Sequence, residues 1–234
     1  MLLDYDDLLL EDADRPLHTI SDLNEENPVT DWPSETLTVQ RLRDVISGEW
    51  VDDIVLNLFF CIVNRYHQFN FYDSLWTSNF INRTTQGNLR LKTTRSPVHD
   101  KSVFLFHHNN NHWIVIFVNH STKSILGFDS LRQVPTAECE TVKEMLRRLA
   151  PENDVDWVIS SFVGNRSGQV QNDSFSCGIF VAMALLVFLS VEAPIDHDWI
   201  WLTLSKLQLL QARSCIVRNI LNHFAIGTKI KQVI

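Results

Sequence analysis

From Gly178 to Leu189 the chain reads Gly-Ile-Phe-Val-Ala-Met-Ala-Leu-Leu-Val-Phe-Leu, without one charged side chain. A helix that is apolar on every side offers no face to water, so this one is predicted to be enclosed by other elements. Its unbroken apolar core, Ile179–Leu189, is eleven residues long. A membrane span needs ~18 or more, so the segment is expected at the centre of a globular fold. The chain has 234 residues, 45% of them hydrophobic, enough for one large domain with a sizeable core.

Hydrophobic periodicity places the other elements. Helices are expected at Thr36–Ile46, stopped by Ser47-Gly48, and at Val51–Tyr66. Gln68–Pro97 is aromatic and reads as irregular. Strands are expected at Ser102–Phe106, Trp113–Val118 and Lys123–Phe128, the first two joined by the polar turn His107-His-Asn-Asn-Asn111. An amphipathic helix follows at Thr136–Leu149, then a strand at Asp156–Phe162 and a loop at Gly164–Ser174. Helices close the chain at Gly178–Ser190 and around Trp201–Phe224. Strands held in sequence between helical blocks predict an α+β fold.

Charge is unevenly spread. Residues 1–36 hold eleven Asp or Glu and one Arg, whereas the remainder carries 17 acidic and 19 basic residues. The first 35 residues, with Pro16, Pro28 and Pro33, read as an acidic, irregular or partly ordered arm ahead of a domain spanning 36–234. The arm is either a solvated extension or a segment that docks through Leu2, Leu3 and Leu8 to Leu10. An acidic start fits neither a secretory signal nor a transit peptide. No basic stripe suggests nucleic acid. Four cysteines without a Cys-x-x-Cys pair fit a reducing compartment, so an intracellular protein, nuclear or cytoplasmic, is expected. Cys61, Cys139 and Cys215 fall in expected helices and read as structural. His107, His108 and the run Asp196-His197-Asp198 match no strong zinc spacing, so neither metal nor cofactor is expected.

Cys177 opens the buried helix and is a candidate nucleophile. Only the thiolate attacks well, and a helix N-terminus or a neighbouring imidazolium lowers a thiol's pKa. His112 would take the thiol proton and return it to a leaving amine. Asp129 would hold the His112 ring in the useful tautomer. Gln171 would offer its amide to the oxyanion beside the Cys177 N–H. These are the parts of a cysteine hydrolase. The bland alternatives are a buried structural thiol, a strand-end histidine with His107, His108 and His120 as rivals, and a turn aspartate. His112 precedes Cys177 by 65 residues, the reverse of the papain order.

Four motifs in order carry a resemblance: Trp50-Val51-Asp52-Asp53, His112-Trp113, Asp129-Ser130, and Gln171 with Cys177-Gly178 six residues later. Together they resemble the Ulp/SENP family of clan CE cysteine proteases over roughly residues 36 to 225. The resemblance implies a clan CE fold, with a central mostly antiparallel sheet flanked by helices and the catalytic cysteine at the N-terminus of a buried helix. It implies His112, Asp129, Gln171 and Cys177 as catalytic residues. It also implies that Trp50 and Trp113 flank a slot for the Gly-Gly tail of a ubiquitin-like modifier. Only glycine lies flat in such a slot, so the slot selects by exclusion. Asp52 and Asp53 either contact that tail or begin a helix.

The expected partner is a ubiquitin-like modifier with its conjugates: SUMO first, with NEDD8 or ubiquitin open, the enzyme acting as a monomer. The chain departs from the family pattern at Ser176, where several members carry Asp, and at Val51 and Asp52. Bacterial effectors of this clan often cleave ubiquitin, which leaves a host cell open as the site of action. Two alternatives keep the fold: a Yop-type acetyltransferase using the same Cys and His, and an inactive module that only binds the modifier.

Overall fold

The computed structural model describes residues 28–32, 35–85, 99–108, 111–131, 135–149, 156–161, 171–190 and 206–231. The chain forms two compact units, one of Met1–Ile62 with Leu204–Ile234 and one of Val63–Thr203.

In the first unit, strands β1 (Pro28–Trp32) and β2 (Glu35–Thr38) pair antiparallel. Helix α1 (Val39–Ser47) follows at once, because the Thr38 hydroxyl accepts the Arg41 N–H and caps it. The helix buries Val39, Leu42 and Val45, a stripe at threefold spacing. Gly48 ends it at φ +98°, a left-handed conformation that a Cβ would disfavour, and its N–H closes on the Asp44 carbonyl. Helix α2 (Asp53–His67) begins in this unit and is capped by Asp52, whose Oδ1 accepts the Val55 N–H at 2.9 Å. The last helix of the chain, Lys206–Lys231, packs on α1 through a stripe that buries Ala212, Ile216 and Ile220.

The second unit is built on a five-stranded sheet in the order β3-β4-β5-β6-β7. Its strands are β3 (Asn70–Tyr72), β4 (Lys101–His108), β5 (His112–Asn119), β6 (Ser124–Asp129) and β7 (Val158–Ser161). The long central ladders β4–β5 and β5–β6 are antiparallel, and the short outer ladders are parallel. Strand β5 is buried at every position from His112 to Val118, so both faces of the sheet are covered. On one face Ile114, Ile116 and Val118 join Cys139, Val142, Met145 and Leu146 of helix α4 (Thr136–Leu149), together with Phe80 of helix α3 (Ser74–Thr85). On the other face helix α5 (Cys177–Ser190) packs on β5 and β6, with Phe117 stacked on Phe188 at 4.5 Å. Each buried Val, Ile, Leu or Phe contributes about 1.5–3 kcal/mol. A one-residue slip of β5 would exchange its two faces, so the packing fixes the register.

This is the α+β architecture expected, with a mostly antiparallel sheet flanked by helices and Cys177 as the first residue of the buried helix. Three local expectations change. The segment after Gln68 is not irregular: Tyr72 of β3 stacks on Phe104 at 4.2 Å, and α3 starts where Asp73 Oδ1 accepts the Trp76 N–H. A three-residue strand carries too little periodicity to show in sequence. Strands β4 and β5 run further than expected, to His108 and from His112, because His107 pairs across the ladder with Trp113 and stacks on it. The helix expected from Thr36 starts only at Val39, because Glu35–Thr38 pair as β2 with β1, which lies near the end of the arm expected to be irregular or partly ordered. The rest of the arm, 1–27, lies outside the described residues, as do Asp196-His197-Asp198 and Trp201–Ser205. Among the described residues no helix is long and apolar enough to cross a membrane.

Helix α4 approaches the sheet closely over Gly127 of β6. A Cβ there would sit 2.7 Å from both the Cys139 Sγ and the Pro135 Cγ. Gly127→Ala is therefore expected to destabilise the protein by about 1–3 kcal/mol through overpacking. Urea denaturation measures this as a lower midpoint with an unchanged m-value.

Candidate active site

Antiparallel pairing of β5 and β6 brings the start of one strand beside the end of the other. Ile114 is the cross-strand partner of Asp129, so His112, two residues earlier, lies at the same end of the sheet. The His112 Nε2 meets the Asp129 Oδ1 at 2.7 Å, with both side chains buried. The same imidazole is coupled to the Cys177 thiol at the first turn of α5, which helps to raise its pKa. Asp129 occupies Nε2, which leaves Nδ1 for the sulfur.

Burial by itself favours a neutral His112 and is the largest single influence on it. The hydrogen bonds from Asp129 and Cys177, with the charges of both, outweigh burial and raise the pKa to about 9. The ring is therefore an imidazolium at neutral pH, the form that stabilises a neighbouring thiolate. Burial, with Glu138 and Glu140 nearby, pushes the Cys139 thiol up to about 12. Burial also raises the Cys215 thiol, against the opposing pull of Arg218 and Asn219. Neither is a nucleophile at neutral pH.

Gln171 is completely buried and tied to the end of β6. Its backbone N–H donates to the Ser130 carbonyl at 3.1 Å, and its Oε1 accepts from the Ser130 hydroxyl at 2.6 Å. The amide nitrogen turns the other way, donating to the Asp173 carbonyl at 2.7 Å and to its Oδ1 at 3.1 Å. The Asp173 carboxylate also accepts the Phe175 and Ser176 N–H groups and the Ser176 hydroxyl. Burial would raise its pKa, but these hydrogen bonds win and lower it. Asp173 thus holds together the loop between Gln171 and the helix that Cys177 opens. Sequence reasoning missed the role of Asp173 and took Ser130 only as part of the Asp129-Ser130 motif. The one visible signal for Asp173 is its place three residues before Ser176, at the spacing of an Asx turn leading into a helix.

His112, Asp129, Gln171 and Cys177 all fall in the second unit. The rival histidines are engaged elsewhere. The ring of His107 lies 4.0 Å from that of Trp113, His108 Nδ1 faces Glu138 at 3.4 Å, and His120 Nε2 meets the Ser102 hydroxyl at 2.8 Å. Trp113 is buried beneath the His107 ring. Trp50, Asp52 and Asp53 belong to the first unit. There Trp50 is 41% exposed, Asp52 caps α2 and pairs with Arg41, and Asp53 is exposed in the first turn of α2. Among the described residues no group of three or more His, Cys, Asp or Glu is arranged to hold a metal ion.

Known proteins share the family domain and the fold. Residues 55–213 match the Ulp1 protease family, C-terminal catalytic domain. That span contains His112, Asp129, Gln171 and Cys177 and stops short of Trp50. The ubiquitin-like-specific protease 1 of Saccharomyces cerevisiae is 23% identical over 168 residues, which is 70% of this chain and 27% of that protein. The chain therefore spans about 27% of this relative's length. Among solved structures, the SUMO protease Ulp1 with its catalytic cysteine oxidised to a sulfenic acid superposes with a TM-score of 0.67 at 19% identity, over 84% of this chain and 88% of that one. The Ulp1-like SUMO protease catalytic domain of Chaetomium thermophilum gives 0.65 at 15% identity, over 88% and 86%. The C-terminal Ulp1 protease domain in complex with Smt3, the yeast ortholog of SUMO, gives 0.61 at 16% identity, over 88% and 91%. At such identities these structures show a shared fold, and the family match covers most of the chain. The chain belongs to the Ulp1 protease family and carries its C-terminal cysteine-peptidase domain.

Proposed function

We propose that this chain is an isopeptidase that cleaves after the C-terminal Gly-Gly of a ubiquitin-like modifier, with SUMO the first candidate. The observation that carries this reading is one imidazole, His112, hydrogen-bonded to Asp129 at 2.7 Å and coupled to the Cys177 thiol. The SUMO assignment rests on the fold shared with proteases described as SUMO proteases. The free thiols fit an intracellular site of action.

In the proposed mechanism, His112 and Cys177 rest as an imidazolium–thiolate pair. The thiolate attacks the carbonyl carbon of the modifier's terminal glycine; a C–S bond forms and the carbonyl π pair moves to oxygen. The Cys177 N–H and the Gln171 amide receive that oxyanion. For this, Nε2 exchanges a contact with Asp173 for the substrate, while Ser130 keeps the amide plane in place. Collapse breaks the C–N bond, and His112 delivers its proton to the departing lysine amine. Water, deprotonated by the now neutral His112, then attacks the thioester; the C–S bond breaks, the modifier leaves as the carboxylate and the resting pair is restored. Trp50, Asp52, Asp53 and Trp113 are the residues proposed to contact the glycine tail.

The direct test is covalent capture by SUMO, NEDD8 and ubiquitin probes carrying a C-terminal thiol-reactive group. An adduct with one modifier, lost in Cys177→Ala, is expected. Failure of every probe would overturn the reading and leave autoacetylation from acetyl-CoA as the next assay.

The pH profile follows from His112. A raised pKa means that folding favours the charged ring. Its contribution to stability is complete below the ordinary value of 6.5 and is lost as pH rises through about 9. Activity is expected to fall on the alkaline side near pH 9, as the imidazolium needed by the leaving amine disappears. Asp129→Asn should move that limb to lower pH and reduce kcat by about 10²-fold or more. An unchanged profile of kcat against pH in this variant would remove Asp129 from the mechanism.

Asp173→Ala should lose about 1–3 kcal/mol of stability with its charge-assisted hydrogen bonds, and lower kcat by releasing Gln171. Asp173→Asn keeps one acceptor oxygen and is expected to lose less on both measures. Urea denaturation and steady-state kinetics on the two variants make the comparison.

A further inference from the structure

We infer that Arg213 is a positioning residue: it fixes the loop that presents Trp50 to the substrate tail, with Arg41 holding the same loop from its other end. This rests on the proposed reading of Trp50 as a contact of the glycine tail.

The observations lie within the first unit. Arg213, on the helix Lys206–Lys231, is only 2% exposed. A guanidinium that deep is costly unless its donors are met. One nitrogen, Nη1, donates to the Val45 carbonyl at 2.8 Å and to the Glu49 carbonyl at 2.7 Å. Val45 lies in the last turn of α1, where carbonyls lack helical partners and a cation meets the negative end of the helix dipole. Glu49 is the residue immediately before Trp50. Arg213 therefore ties the end of one helix to the peptide that carries Trp50, across 164 residues of sequence.

The other side of Trp50 is held as firmly. Val51 is buried at 2% exposure and plugs the loop into the core. Asp52 caps α2 through Oδ1 and binds the Arg41 guanidinium through Oδ2. Gly48, at φ +98°, makes the turn that starts the loop. Every residue flanking Trp50 is thus fixed, while its own indole stands 41% exposed. A large apolar ring held in solvent on a rigid frame is a surface prepared for a ligand. Pre-ordering it removes an entropy cost that binding would otherwise carry. A guanidinium suits the task because its donors lie in a fixed plane and its charge does not titrate.

Arg213→Lys and Arg213→Met would be compared with Arg41→Gln and Trp50→Ala in two measurements. The first is cleavage of a SUMO C-terminal fluorogenic substrate. The second is the fluorine NMR spectrum of protein labelled with 5-fluorotryptophan, with the Trp50 line assigned from Trp50→Phe. Arg213→Met should raise KM about tenfold with kcat within about twofold of wild type, the pattern of lost binding and not of lost chemistry. The Trp50 line should shift or broaden while lines from the second unit stay in place. Arg41→Gln, at a half-exposed site, keeps the test alive if Arg213→Met fails to fold, and should move KM and the Trp50 line the same way. An unmoved Trp50 line in folded Arg213→Lys and Arg41→Gln would overturn the inference. So would an unchanged KM in a folded Arg213 variant whose Trp50→Ala counterpart is impaired. If Trp50→Ala itself cleaves with wild-type KM, the slot reading fails instead, and the fluorine spectra still decide whether Arg213 positions Trp50.

Discussion

The antiparallel pairing of β5 with β6 is the constraint on which the site depends. Both strands are buried on both faces, and their register sets Ile114 opposite Asp129. The His112–Asp129 hydrogen bond follows from that register with no loop needed to carry either residue. Layers on both faces of the sheet prevent a slip, since moving β5 by one position would trade the side chains facing α4 for those facing α5. A histidine whose ring is held by a buried carboxylate has a defined tautomer, and that gives Cys177 a fixed partner.

The second dependence is on the helix that ends at the site. Helix α5 is buried by its apolar composition, and its first residue is Cys177. What precedes it is polar and tightly bonded: Ser130 holds Gln171, Gln171 holds Asp173, and Asp173 holds Ser176. Each link joins the end of β6 to the start of α5 through short hydrogen bonds. In a linked polar chain of this kind, with Gln171, Ser130 and Ser176 buried and Asp173 half-buried, a change at one member acts on the others. Ser176, directly before the cysteine, donates its hydroxyl to Asp173, where an ionised aspartate could only accept.

Much of the fold was legible because its strongest signals are local. Thr136–Leu149 is apolar at helical spacing and forms α4 over that same range. Strands β4, β5 and β6 were visible as apolar runs between polar turns. Strand β3 and helix α3 were not, since three residues show no period and the aromatic residues of α3 share a segment with strand-like neighbours. Cross-strand stacking of His107 on Trp113 carried the strands past the polar residues that looked like a turn. The candidate site was legible through the order of its four motifs, which is where the family resemblance lay.

The family resemblance carried the expectation of His112, Asp129, Gln171 and Cys177 as the site, whereas residue order and composition were enough for the class of fold and the buried helix. They determine these because hydrophobic period and helix position are properties of neighbours in sequence. Only the tertiary structure decided that Asp173 holds the Gln171 amide, that burial and two hydrogen bonds contend over His112, and that Arg213 reaches the carbonyl beside Trp50. Those interactions join groups whose partners are chosen by packing, and no local pattern in the chain encodes a distance between residues 49 and 213. A buried arginine in a helix looks in sequence like any arginine on a solvated face, and only the surrounding core tells them apart.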